Sequence, residues 1–227
     1  MPIHYRADHV TLFDLMFLLC FVTAAVTLIR ALYLLVRRRT ARAGTVLKRL
    51  GVCAALYVLL LLVVSASQPT TVLAMRVPQC FDDWCIAVDS ASRQPNIGGT
   101  NSAGAFVIVH GRVLNNARSA ERETDVSAIL LAGDGRRYSR SEAGQRALVE
   151  RGGAGHALTD MVAPGSANQF SMVFDVPKDA DSLAFVTTHG WFPGALIIGN
   201  SQSLFHRPSV VPLPTLLPSR LRGHEPP

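Results

Sequence analysis

Two long apolar runs open the chain, and an alternation of apolar and polar positions takes over after them. The first run extends from Leu15 to Ile29 and continues through Arg30 to about Val36. The second extends from Leu50 to Ala66. Each approaches the ~20 residues that an α-helix needs to cross a bilayer. Together they predict a helical hairpin, with helices over about 12–36 and 50–67 and a loop over 37–49. A loop that short joins antiparallel helices and holds no domain of its own.

Beyond Ser67 the pattern shortens. Residues 68–79 read as a tether, because Pro69 and Pro78 oppose helix. Trp84, Ile86 and Val88 then fall on one face at period two. Residues 94–104 contain Pro95, Gly98 and Gly99 and read as a loop. The strongest strand runs from Ala105 to Leu114, with residues 106–109 apolar on both faces, as a strand in a two-layer core can be. Val126 to Ala132, Phe170 to Val176, Leu183 to Thr188, Ala195 to Ile198 and Leu204 to Val211 complete the set. Gly133-Asp134-Gly135 supplies a turn. One helix interrupts the strands: Ser139 and Glu142 match a capping box, and Gly152-Gly153 stops it. From Pro212 onward four more prolines and no periodicity predict a disordered tail over 214–227. About seven short strands in some 130 residues imply an antiparallel β-sandwich over 80–213.

Charge changes this picture in one respect, by giving the hairpin an orientation. Residues 1–67 hold 8 Lys+Arg and 2 Asp+Glu, a net of +6, whereas residues 68–227 hold 14 of each. The excess therefore surrounds the apolar runs and is no nucleic-acid footprint. Arg37, Arg38, Arg39, Arg42, Lys48 and Arg49 mark the loop as cytoplasmic by the positive-inside rule. Both termini then lie outside, which makes the protein a two-span component of the cytoplasmic membrane with an extracytoplasmic domain. Asp14 and Arg30 lie near the ends of the first helix, where Arg30 can snorkel toward the loop. Cys20 and Cys53 read as small packing residues. The second run also resembles a signal peptide ending in Val64-Ser65-Ala66-Ser67, so cleavage after Ala66 is the alternative to anchoring.

Several short signatures, taken in order, resemble a bacterial immunoglobulin-like family catalogued as domain of unknown function 4352. They are Phe106-Val107-Ile108-Val109 leading to Val113-Leu114-Asn115-Asn116, then Asp134-Gly135-Arg136-Arg137-Tyr138, Val162-Ala163-Pro164-Gly165-Ser166 and Phe174-Asp175-Val176-Pro177. The resemblance spans roughly Gln79 to Leu213. It implies an immunoglobulin-like sandwich outside the cytoplasm and no catalytic residues. Many members hang from a lipidated N-terminal cysteine; here a helical hairpin takes that place.

The candidate chemistry is sparse. Cys80 and Cys85, just outside a membrane, are in a compartment where thiols pair. Residues five apart in a straight strand cannot bridge, so a disulfide requires a turn at Asp82-Asp83. A metal site using both thiolates with His110 or His189, and a redox-active pair, are the other readings of these cysteines. The spacing matches neither a zinc pattern nor Cys-x-x-Cys. No Gly-x-Ser-x-Gly elbow and no phosphate loop are present. Trp191-Phe192, set between Gly190 and Pro193-Gly194, is either a pair of core rings or an exposed contact loop. The expectation is a non-catalytic, membrane-anchored module without cofactor or metal, for which the partner is an envelope or extracellular protein. The alternatives are an accessory subunit of a membrane complex and a thiol- or metal-dependent envelope enzyme.

Overall fold

The computed structural model describes residues 12–81, 83–153, 155–190, 194–198, 203 and 205–214. They form two compact units. One comprises Met1–Pro69 with Gly190–Arg207, and the other Thr70–His189 with Pro208–Pro227.

The first unit is built on helices α1 (Leu12–Val36) and α2 (Thr40–Ser67). At 1.5 Å per residue they are about 37 and 42 Å long, enough for a ~30 Å hydrocarbon layer. Leu18, Leu19, Phe21, Val26 and Ile29 on α1, and Val52, Leu56, Leu59 and Val63 on α2, are all exposed. Cys20 and Cys53, expected as packing residues, also lie on the outer surface. A large unbroken apolar surface of this kind is not stable against water.

The expected 13-residue basic loop is a correction. Only residues 37–39 separate the helices, and Arg42, Lys48 and Arg49 lie on the first turns of α2. The turn closes as a Schellman motif. Arg38 takes the left-handed conformation (φ 55°), its N–H donates to Leu35 O, and the Arg39 N–H donates to Leu34 O. Arg37 Nε donates to the Tyr33 hydroxyl at 3.1 Å, and its guanidinium lies over the same ring. Long basic side chains are good helix formers, so nothing in the stretch obliges the chain to leave the helix once the turn is made.

The second unit is a two-sheet antiparallel sandwich. The first sheet has the order β1-β2-β3-β6, with β1 (Gln79–Phe81), β2 (Trp84–Ile97), β3 (Thr100–Asn115) and β6 (Ala167–Val176). The second has the order β5-β4-β7-β8, with β4 (Val126–Leu131), β5 (Arg137–Tyr138), β7 (Ala184–His189) and β8 (Val211–Pro212). Alternation along the strands directs Trp84, Ile86, Val88, Val107, Val109, Phe170 and Phe174 into the core between the sheets, opposite Leu130, Phe185 and Val211. Phe185 takes Phe174 edge-on at 6.2 Å and stacks with Phe170 at 6.4 Å.

The apolar positions on the other face of β3 have a separate partner. Helix α3 (Glu142–Glu150) lays Ala147 and Leu148 on Ile97, Phe106, Ile108 and Val173. Its N-cap is Ser141, whose hydroxyl accepts from the Gly144 N–H at 3.2 Å, and not Ser139 as the capping-box spacing suggests. The helix also covers the edge of β6. Gln145 donates to Ser171 O and accepts from the Val173 N–H, so one side-chain amide takes the place of a neighbouring strand.

Three further expectations are corrected. Residues 94–104 are a β-hairpin and no loop: Gly98 and Gly99 (φ 57° and 87°) form its two-residue turn, which requires left-handed backbone at both positions. Pro95 is accommodated at a register shift between Gln94 and Asn96, the kind of irregularity that tolerates a residue without an N–H. The strands expected at 195–198 and 204–211 reduce to a 3-10 turn at Gly194–Leu196 and to β8. The tether is partly docked, with Val72 bridging Val210 in parallel and Arg76 N–H donating to Val88 O. The tail expected over 214–227 lies, but for Pro214, outside the described residues.

Candidate functional site

The site with the most chemistry starts at the first hairpin of the sandwich. The β1–β2 register pairs Gln79 with Ile86, Cys80 with Cys85, and Phe81 with Trp84. Positions 82 and 83 are therefore all that separates the strands. Directly opposed cysteines on neighbouring strands are within bridging reach, and they form a disulfide. The sequence argument that five-residue spacing needs a turn is met in this way. Bonded sulfurs are not thiolates, so in this oxidised form Cys80 and Cys85 offer no metal ligand. Asn116, the residue after β3, holds the hairpin by donating its N–H to Asp83 O at 2.8 Å and its Nδ2–H to Cys85 Sγ at 3.2 Å.

Closing so small a loop stabilises the fold by about 2 kcal/mol through the entropy of the unfolded chain. Reductant should therefore lower the urea midpoint of the wild type and leave that of a Cys80→Ala/Cys85→Ala variant unchanged. Equal midpoints with and without reductant in the wild type would remove the disulfide's structural role.

Beside the disulfide lies a stack of rings. Phe81 and Trp84 lie 6.1 Å apart, and the His189 imidazole stacks on Phe81 at 5.1 Å with 19° between the planes. His189 also lies 6.2 Å from Trp84. Its Nε2 lies 2.6 Å from Glu123 Oε2. The carboxylate lies beside the ring's edge, and the ring's face packs on Phe81. Trp84 is fully buried, and its indole N–H finds no acceptor among the described residues. No sequence signal linked His189 to Glu123, because 66 positions separate them. The β4–β7 register, which pairs Val126 with His189, brings them together.

His110 lies on the outer face of the first sheet. Its Nδ1 is 2.8 Å from Ser171 Oγ, on the residue paired with it across β3 and β6. Burial pushes the His110 pKa below its ordinary value. The unfolded chain therefore binds this proton more readily than the folded one. Stability contributed by neutral His110 is complete above pH 6.5, and it is lost as pH falls from 6.5 toward the depressed folded value. Urea midpoints measured between pH 7.5 and 5.5 should fall less steeply for His110→Gln than for the wild type. Parallel profiles would show that His110 does not carry this dependence.

The remaining expected site residues are dispersed. Arg37, Arg38 and Arg39 form the turn between α1 and α2, and Arg42, Lys48 and Arg49 follow on α2. Trp191 and Phe192, expected as core rings or a contact loop, lie outside the described residues, as does Asp82. Among the described residues no three His, Cys, Asp or Glu side chains are grouped as metal ligands.

No family model matches the chain, and no curated protein matches it. Solved structures similar to it include a conserved hypothetical protein from Bacillus anthracis, with a TM-score of 0.42, 14% identity, and coverage of 51% of this chain and 87% of that one. Another is the secreted protein MPT63 of Mycobacterium tuberculosis, with a TM-score of 0.41, 14% identity, and 55% and 93% coverage. A third is an uncharacterised β-sandwich protein from Clostridium difficile, with a TM-score of 0.40, 9% identity, and 65% and 97% coverage.

Proposed function

We propose that α1 and α2 span the cytoplasmic membrane with the Arg37–Arg39 turn inside, and that the chain presents its sandwich outside the cytoplasm as a non-catalytic binding module. The observation that carries this reading is the pair of long helices whose apolar side chains are almost all exposed. Lipid is the solvent in which such a surface is stable. The basic residues at one end of the hairpin support the orientation, and a cystine in the sandwich suits an oxidising compartment. The disulfide hairpin and the His189–Glu123 pair act in this reading as rigid supports, with recognition of an envelope or extracellular protein left to the loops.

We take the sandwich as immunoglobulin-like in the broad sense of two facing antiparallel sheets around one core. Its order of 1-2-3-6 and 5-4-7-8 departs from the 1-2-5-4 and 3-6-7 order of a constant-type domain. Membrane-impermeant maleimide tests the topology, in a background of Cys20→Ala and Cys53→Ala. Applied to intact cells, it should label Thr124→Cys on the sandwich and not Thr45→Cys on α2. The reverse pattern would invert the orientation, and a soluble fragment starting at Ser67 would replace anchoring by cleavage.

A further inference from the structure

The chain between β7 and β8 does not stay with the sandwich, since Gly190–Arg207 groups with the helices. Two contacts between described residues fasten it to α2. The Tyr57 hydroxyl donates to Leu196 O at 2.6 Å, and the Ser65 and Ser203 hydroxyls share a hydrogen bond of 2.8 Å. Tyr57, Leu61 and Ser65 recur every fourth residue and so form one stripe along α2. Leu61 and Ser65 are buried, as are Ala195, Ile198 and Ser203 on the segment.

The depth of these contacts is informative. Tyr57 is ten residues from the end of α2 at Ser67, which is about 15 Å along the axis. That is about half of a ~30 Å hydrocarbon layer. Ser65, two residues from the end, is near the surface of that layer. The segment thus reaches its deepest described point at Leu196 and is back near the outer end of α2 by Ser203. Its composition fits that path: Gly194-Ala195-Leu196-Ile197-Ile198 carries no charge, and the polar residues Asn200, Ser201, Gln202 and Ser203 come afterward. Non-helical backbone at such depth needs its polar groups satisfied. The Leu196 carbonyl, at the end of a single 3-10 turn, receives the Tyr57 hydroxyl, which in turn would be an orphan among apolar neighbours.

We propose that Gly194–Ile198 is a re-entrant segment that dips into the extracytoplasmic leaflet beside α2, with the exposed side of Leu196 against lipid acyl chains. This rests on the reading of α2 as a membrane span. The segment is then a third membrane contact, donated by the sandwich's own β7–β8 connection, and its partner is the bilayer interior.

Collision of nitroxide labels with oxygen, which concentrates in lipid, and with a water-soluble nickel chelate tests it. The full chain, carrying Cys20→Ala and Cys53→Ala, is placed in phosphatidylcholine–phosphatidylglycerol vesicles. Labels are placed at Leu196→Cys and, as the reference for α2, at Leu60→Cys. Ile197→Cys provides a second position should Leu196→Cys fail to fold. An oxygen-to-nickel ratio at 196 or 197 as high as at 60 is the expected result. A high ratio at 60 with a low one at 196 and 197 would overturn re-entry and leave the span intact. Low ratios at all three would overturn the span and the re-entry together. A label at 196 that is immobile and reached by neither reagent would show a protein partner in place of lipid, and that also rejects the proposal.

Discussion

Replacing Phe174 by alanine should lower the unfolding free energy of the sandwich by about 3–5 kcal/mol, the range for removing a buried aromatic ring. Phe174 lies on β6 with no surface exposed, and its ring meets Phe185 of the opposite sheet edge-on. Alanine there leaves a void between two sheets that hydrogen bonding holds in place, so the site has little freedom to collapse. A domain of this kind has only roughly 5–15 kcal/mol in total. The variant should therefore unfold at a much lower urea concentration with an unchanged slope. Val149→Ala, on the exposed side of α3, is the comparison, and it should move stability by less than about 0.5 kcal/mol. A shift at Phe174 no larger than at Val149 would mean that the two sheets do not share one core.

Gly111→Ala should cost about 3 kcal/mol although it adds a single methyl group, at the upper end of the usual cost of overpacking. Gly111 sits in β3 between Val88 and Phe170, with strands paired on both sides. A Cβ there would lie 2.3 Å from Ala87 O and 2.6 Å from Phe170 Cζ. The phenyl ring can move at a cost in core packing, but the carbonyl is backbone of β2 and yields only if the paired strands part. Gly51→Ala, on α2 with nothing within 4 Å of the new Cβ, should be neutral or slightly stabilising. Equal urea midpoints for Gly111→Ala and the wild type would show that β2 and β3 are not held at this register.

What local pattern encodes was legible without coordinates. The apolar runs marked α1 and α2, because runs of that length and composition form helices long enough to cross a bilayer. Period two marked the inward face of β2 and of β6, since one face of each strand fills the core. The apolar double face of residues 106–109 required covers on both sides, and they are the second sheet and α3. The link between Cys80 and Cys85 was legible too, because a bridge at that spacing has only a tight turn as its solution.

Only the tertiary structure decided the rest. Which strands are neighbours is a matter of long-range pairing, so the β4–β7 register alone placed His189 beside Glu123. The path of 194–198 illustrates the same limit. Its apolar residues suit a strand as well as any in the chain, but they lie along α2, where the Tyr57 hydroxyl supplies the hydrogen bond that a sheet would have given. Residues 94–104 likewise carry the punctuation of a loop, yet pairing with β3 extends β2 through them to the Gly98-Gly99 turn. Sequence determined where each segment had an apolar face to bury; packing between distant segments determined against what.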